Sequence, residues 1–417
     1  MADSSSVGET IELSRFGISL SYIVDEFLDI ECTGIPGVDL KTATTGLIYE
    51  KIIQPKSLNL SLCETWKHSN ADRIGPATVF ISHCWNRKFT DTVNALKLHF
   101  RETPDIFIWM DIFSYNCDSD ETMEEFDSWC GGLRNLISGM SRLVLIMPSF
   151  TDMVPLRRLW CIFELYLAVD VNASFDLAML DVDVEQVLES IRDDSRYLLT
   201  QIMDVVSVTH SRCTRQEDYS RLCGVILTSP TAERDFCSTV VRAVCRCLVE
   251  FTKNKLFELQ MAIEKTTAAA DSLAEATKTK LASMELEHSF FNRGVGTLLM
   301  STGRCSEAAA YIKLSLDHQV RVMDQYDTEL MKSQTIQCGL FYERQEYEKA
   351  DQLCRKIIAV LKKNVDVRPR NFIDVMSLLA RTLEAQQRTK EADKLYRACD
   401  FICGKYLLEY SYYNAIS

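Results

Sequence analysis

Ala77-Thr78-Val79-Phe80-Ile81-Ser82 is a short apolar run rich in β-branched residues. Two runs of the same kind follow: Ile106-Phe107-Ile108-Trp109-Met110, entered through Pro104, and Leu143-Val144-Leu145-Ile146-Met147, closed by Pro148. Runs that stay apolar instead of alternating suit strands buried on both faces, as in a parallel sheet. Helix-like segments lie between and after them, at Asp91 to Phe100, about Glu124 to Ile137, and Leu156 to Val169. Strands alternating with helices predict a doubly wound α/β domain. Phe175 to Leu180 reads as a fourth strand, Ile202 to Val208 as a fifth, and Arg234 to Lys253 as a closing helix.

Around this block the chain reads as five parts. Residues 1–10 are read as a disordered tip. Residues 11–75 mix short apolar stretches with turn signals at Gly34, Pro36, Gly37 and Pro55, and are expected to pack as an extension on the α/β domain at 76–253. Beyond 253 the strand signals stop. Residues 254–286 hold a long helical pattern rich in Ala, Glu and Lys, and residues 287–417 hold an internal repeat. Gly303-Arg-Cys-Ser-Glu-Ala308, Gln345-Glu-Tyr-Glu-Lys-Ala350 and Arg388-Thr-Lys-Glu-Ala392 align at a spacing of 42. Twelve residues before each Ala stand Gly296, Cys338 and Ala380; nine before stand Leu299, Phe341 and Leu383. Small residues let two helix backbones approach and bulky ones fill the seam, so the repeat predicts stacked helix pairs.

Composition narrows the function. The 417 residues carry 46 Lys+Arg against 59 Asp+Glu, a formal net charge of −13. Such a chain is a poor partner for nucleic acid or for an anionic membrane surface, where Lys and Arg supply the affinity. No apolar run reaches the roughly 18 residues that span a bilayer, and the polar, acidic start is unlike a secretory signal. A cytoplasmic protein is expected. The sixteen Cys include no CxxC and no zinc-finger spacing, so they read as reduced core thiols. The acids Asp118, Asp120, Glu121, Glu124, Glu125 and Asp127 lack the Gly and spacing of an EF-hand. There is neither a GxxxxGK[ST] nor a GxGxxG motif.

The segment Leu156-Arg157-Arg158-Leu159-Trp160-Cys161-Ile162-Phe163-Glu164-Leu165 carries the chemistry. On a helix, Leu156, Leu159, Trp160, Phe163 and Leu167 form one apolar stripe, and Glu164 falls roughly 80° from its centre, at the edge. A carboxylate there can face the crevice at the carboxyl ends of the strands, where open α/β sheets bind ligands. The strand ends bring other candidates to that rim: Ser82, His83, Trp85 and Arg87 after the first, Asp111 and Phe113 after the second, Ser149 after the third.

With these motifs in place, residues 77–180 resemble a TIR (Toll/interleukin-1 receptor/resistance protein) domain, above all in Trp160-Cys161-x-x-Glu164-Leu165, which is similar to the Trp-Cys-x-x-Glu-Leu of plant-type members. The repeats resemble tetratricopeptide repeats of the kinesin-light-chain variety. The first resemblance implies a flavodoxin-like parallel sheet and a catalytic glutamate, Glu164, that cleaves NAD⁺ as substrate, with no bound cofactor and no metal. Ser82, His83, Trp85, Arg87, Asp111, Phe113, Ser149, Trp160 and Cys161 are the expected substrate-binding residues. It also implies assembly of copies through the TIR-like domain. The first loop departs from the plant pattern, reading Ser-His-Cys-Trp-Asn-Arg. The expectation is an NAD⁺ glycohydrolase gated by assembly, whose repeats take a protein or peptide partner. The alternatives are a non-enzymatic adaptor and a nucleotide sensor.

Overall fold

The computed structural model describes residues 12–117, 123–147, 149–268, 275–363 and 369–414. The expected disordered tip, Pro148, and the acids Asp118, Asp120 and Glu121 lie outside the described residues. The chain divides into two compact units: residues 1–189 with 199–247, and residues 190–198 with 248–417.

The first unit is built on one sheet. Its strands are β1 (Phe16–Ser19), β2 (Ile74–Pro76), β3 (Val79–Ser82), β4 (Phe107–Trp109), β5 (Arg142–Ile146) and β6 (Ser174–Ala178), in the order β2-β1-β4-β3-β5-β6. β3 runs parallel to both β4 and β5, and β5 runs parallel to β6. This four-stranded core holds the three apolar runs and the fourth expected strand. The sheet as a whole is mixed, which corrects the expectation of an all-parallel, flavodoxin-like sheet. β1, from the N-terminal segment, pairs antiparallel with both β2 and β4. It covers the edge that β4 would otherwise leave open. Gly17 makes this pairing possible, since a Cβ there would stand 2.3 Å from the Ile108 carbonyl oxygen.

The longer helices that start in this block are α1 (Phe89–His99), α2 (Met123–Met140), α3 (Leu159–Asp170), α4 (Asp181–Val205), α5 (Gln216–Ile226) and α6 (Ala232–Ala268). The fifth strand expected at 202–208 is instead the end of α4 and the chain after it. Leu198, Ile202 and Val206 are buried four residues apart, which is the period of a helix and not of a strand. α6 runs past the expected stop at Lys253, and the pattern read as one helix over 254–286 belongs to two helices. The N-terminal segment supplies much of the core: Ile18, Ile23, Phe27, Ile48 and Ile52 pack in one cluster with Val79, Ile81, Ile108 and Phe113.

Among its described residues the second unit carries three helix pairs: α7 (Glu275–Ser301) with α8 (Cys305–Val322), α9 (Thr328–Glu343) with α10 (Tyr347–Leu361), and α11 (Pro369–Ala385) with α12 (Thr389–Asn414). The aligned alanines Ala308, Ala350 and Ala392 are all buried. Gly296 faces Ile312 so closely that a Cβ would stand 2.5 Å from its Cγ1. The first helix of each pair ends on a left-handed residue at one repeat position, Gly303, Gln345 and Gln387. The next amide then reaches back to the bulky seam residue: Arg304 N to Leu299 O at 3.0 Å, Glu346 N to Phe341 O at 2.8 Å, and Arg388 N to Leu383 O at 2.8 Å. The repeat therefore preserves a helix stop as well as a packing pattern.

Candidate functional site

β3 ends at Ser82, and its two parallel neighbours leave it on opposite sides, β4 on one and β5 on the other. The crevice at such a point is where a doubly wound sheet has room for a ligand. A cleft of about 390 Å³ opens in the first unit, and its walls include Ile81, His83, Trp85, Asp111, Arg158, Trp160 and Glu164.

Glu164 stands on the second turn of α3 and receives the Ser82 hydroxyl at 2.5 Å. Burial pushes its carboxyl well above the ordinary carboxylate range. The Cys161 thiol and Asp111 add to the effect, while the Ser82 hydroxyl and Arg158 oppose it. His83 is buried; burial lowers its pKa and Asp111 opposes that fall. The imidazole is therefore neutral near pH 7. Its Nε2 stands 3.6 Å from Asp111 Oδ1, beyond a hydrogen bond. Asp111 instead accepts the Trp85 indole N–H at 2.8 Å and, at 2.7 Å, the amide of Ile112.

The walls are aromatic. Trp160 meets Trp129 edge-on at 5.2 Å and Phe126 at 5.9 Å, and its indole donates to Asp218 at 3.2 Å. Across the cleft Trp85 packs on Tyr49 at 5.0 Å. Among the described residues, three buried polar atoms on these walls have no hydrogen-bond partner: His83 Nε2, Trp129 Nε1 and Arg158 Nε. An unsatisfied buried donor costs on the order of 1–3 kcal/mol. Trp129 Nε1 and Arg158 Nε are fixed donors, and His83 Nε2 donates in one of the two neutral tautomers, so the cleft suits a ligand that offers acceptors.

Five of the ten expected site residues line this cleft: Glu164, His83, Trp85, Asp111 and Trp160. The other five do not. Ser82 is buried behind Glu164 with its hydroxyl committed to that carboxyl. Cys161 is buried, and its thiol donates to the His83 carbonyl at 3.4 Å. Phe113 sits in the core against Phe27 and Phe89, so it has no face to offer a base. Arg87 is ion-paired with Asp152. Ser149 bonds Thr151 at 2.7 Å. Trp160 also departs from the apolar stripe expected of it. α3 is buried over most of its surface, so Trp160 turns to the cleft, while Leu156 lies before the helix in a short turn.

The cleft residues missed in the sequence come from separate segments. Tyr49 belongs to the N-terminal extension, Phe126 and Trp129 to α2, and Thr214, Arg215, Glu217, Asp218 and Arg221 to α5 and the turn before it. The one signal within reach was Arg158, beside the motif. Among the described residues no group of three His, Cys, Asp or Glu could hold a metal ion, and no helix is long and apolar enough to cross a membrane.

No protein-family model matches the chain, and no curated protein matches it. Among solved structures it is similar to a kinesin light chain with nearly identical TPR-like repeats from Podosopora anserina. That match has 13% identity and a TM-score of 0.28, covering 54% of this chain and 96% of that one. It is also similar to BtubC (BKLC) from P. vanneervenii, at 10% identity and a TM-score of 0.29, covering 54% of this chain and 90% of that one. Likenesses this loose transfer nothing. The helical repeat rests on its own buried alanines and helix stops.

Proposed function

We propose that the first unit is a TIR-like NAD⁺ glycohydrolase in which Glu164 is the catalytic residue. The observation that carries this reading is a carboxyl placed at the wall of an aromatic cleft among three unpartnered polar atoms. Breaking the nicotinamide–ribose bond develops positive charge on the ribose, and a nearby carboxylate stabilises that charge and holds the ribose hydroxyls. Trp85, Trp129 and Trp160 offer faces for the nicotinamide or the base, and Arg158 offers a donor for a phosphate or hydroxyl oxygen. The helical repeats, read as the tetratricopeptide type, gate the reaction by bringing copies together in the cytoplasm.

One observation favours a second reading, a non-enzymatic adaptor. Burial shifts the Glu164 carboxyl toward its neutral form, and a neutral carboxyl is poor at stabilising a cation. The two readings separate in one assay: nicotinamide release from NAD⁺ by the full chain and by Glu164→Gln over a wide range of protein concentration. Turnover that rises steeply with concentration and falls about 10²-fold or more in the variant supports the enzyme. Equal turnover in both proteins removes Glu164 from catalysis, and no turnover at any concentration leaves the adaptor.

A further inference from the structure

The face shared by the first helices of the three pairs in the second unit is already occupied. Residues Ser190–Leu198, a stretch of α4, belong to that unit. The helix breaks within this stretch, where Asp194 is extended (φ −153°, ψ 74°). Its carboxylate accepts the Tyr197 amide at 3.0 Å and so caps the arm that follows. At the break Arg293 of α7 takes two carbonyls, its Nη2 reaching Arg192 O at 2.7 Å and Asp193 O at 3.4 Å, and Lys332 Nζ also reaches Asp193 O at 3.5 Å. Arg293 is buried, its charge met by Glu329 of α9 at 2.7 Å. Burial pushes the Glu329 carboxyl up, but Arg293 and Lys332 outweigh this and hold it ionised.

Ile191, fully buried, anchors the stretch. It fills a notch left by Gly294, where a Cβ would stand 2.5 Å from its Cγ2 and 2.9 Å from its carbonyl oxygen. Glycine is a poor helix former, and here it makes room for this one side chain. On α11, Arg370 lies 3.7 Å from Asp194 and Asp374 lies 3.9 Å from Arg196. The fit is incomplete. A cavity of about 40 Å³ remains between the stretch and the repeats, and Asn371 on its wall has a buried Nδ2 without a partner among the described residues.

We propose that residues 190–198 are a built-in ligand of the repeat face, and that the face recognises peptides of the same chemistry: a branched apolar residue for the Gly294 notch, two backbone carbonyls for Arg293, and an acid toward Arg370. The unfilled cavity and the unpartnered Asn371 amide leave room for a better ligand than the built-in one. This rests on the second unit alone and stands whether or not the first unit cleaves NAD⁺.

A tethered ligand acts at an effective concentration on the order of millimolar, so a free peptide is excluded from the wild-type chain at micromolar levels. The test uses a fluorescent peptide of residues 187–200 and the full chain. Ile191→Asp empties the notch; saturable binding to this variant, at least tenfold tighter than to wild type, is expected. Adding Gly294→Ala to Ile191→Asp strengthens the helix but fills the notch, and should weaken binding tenfold or more. Equal binding to wild type and Ile191→Asp, or none to either, overturns the proposal. Hydrogen exchange on the wild-type chain gives a readout that needs no variant. Several millimolar unlabelled peptide should strip protection from residues 190–198, and unchanged protection would refute displacement.

Discussion

Glu164 shows how one residue takes its properties from three elements. The motif on α3 places it, β3 supplies the Ser82 hydroxyl, and Asp111 after β4 adds negative charge nearby. Because burial disfavours its charged form, the folded chain holds a proton there that the unfolded chain has already released above the ordinary carboxylate range. Stability at this site is therefore present at low pH and falls as pH climbs toward the raised value. Glu164→Gln removes the dependence. Its melting temperature relative to wild type should rise between pH 5 and pH 8, measured by thermal unfolding in matched buffers. A gap that stays constant over that window would contradict a buried, proton-holding Glu164. The motif made Glu164 legible as a candidate, but not the unpartnered His83, Trp129 and Arg158 atoms around it. These are orphaned by neighbours that lie far off in sequence.

Within an element, the repeat was readable to the residue, because helix packing imposes a period and a period survives as spacing. Ala308, Ala350 and Ala392 mark the seam, and the left-handed stop falls at Gly303, Gln345 and Gln387. Only the first of these is glycine. A side chain in the left-handed region costs roughly 1–2 kcal/mol, which glycine avoids. The greater freedom of glycine when unfolded offsets part of that gain. Gln345→Gly and Gln387→Gly should each stabilise the repeats by up to about 1 kcal/mol, seen as a higher midpoint in chemical denaturation with unchanged slope. Destabilisation by either would mean the glutamine side chain holds something the helix stop does not need. The reading of 202–208 as a strand failed for the converse reason. A short apolar stretch has too few residues to separate a period of two from one of 3.6.

For the whole molecule, the N-terminal extension is part of the sheet and of its core. β1 is an inner strand of the sheet, between β2 and β4, and Ile18, Ile23, Phe27, Ile48 and Ile52 are part of the core. A chain that starts at residue 76 loses that strand and exposes the edge of β4 together with an apolar face. It should aggregate or lose its near-ultraviolet circular dichroism, while the full chain keeps a cooperative melt. A soluble, cooperatively folding product would show that the extension is dispensable. The same segment brings Tyr49 to the cleft, so removing it alters the site as well as the fold.

Local pattern was enough to reveal the four parallel strands, the 42-residue helix pairs and the Glu164 motif. Each is written in spacing that neighbouring residues share, and burial on a strand or helix face dictates that spacing. Long-range contact alone settled the antiparallel strand at the edge of β4, the aromatic walls of the cleft and the seat of residues 190–198 on the repeats. Strand pairing, cleft lining and a glycine notch join residues tens to hundreds of positions apart. No period along the chain records which segment will fill the space that another leaves.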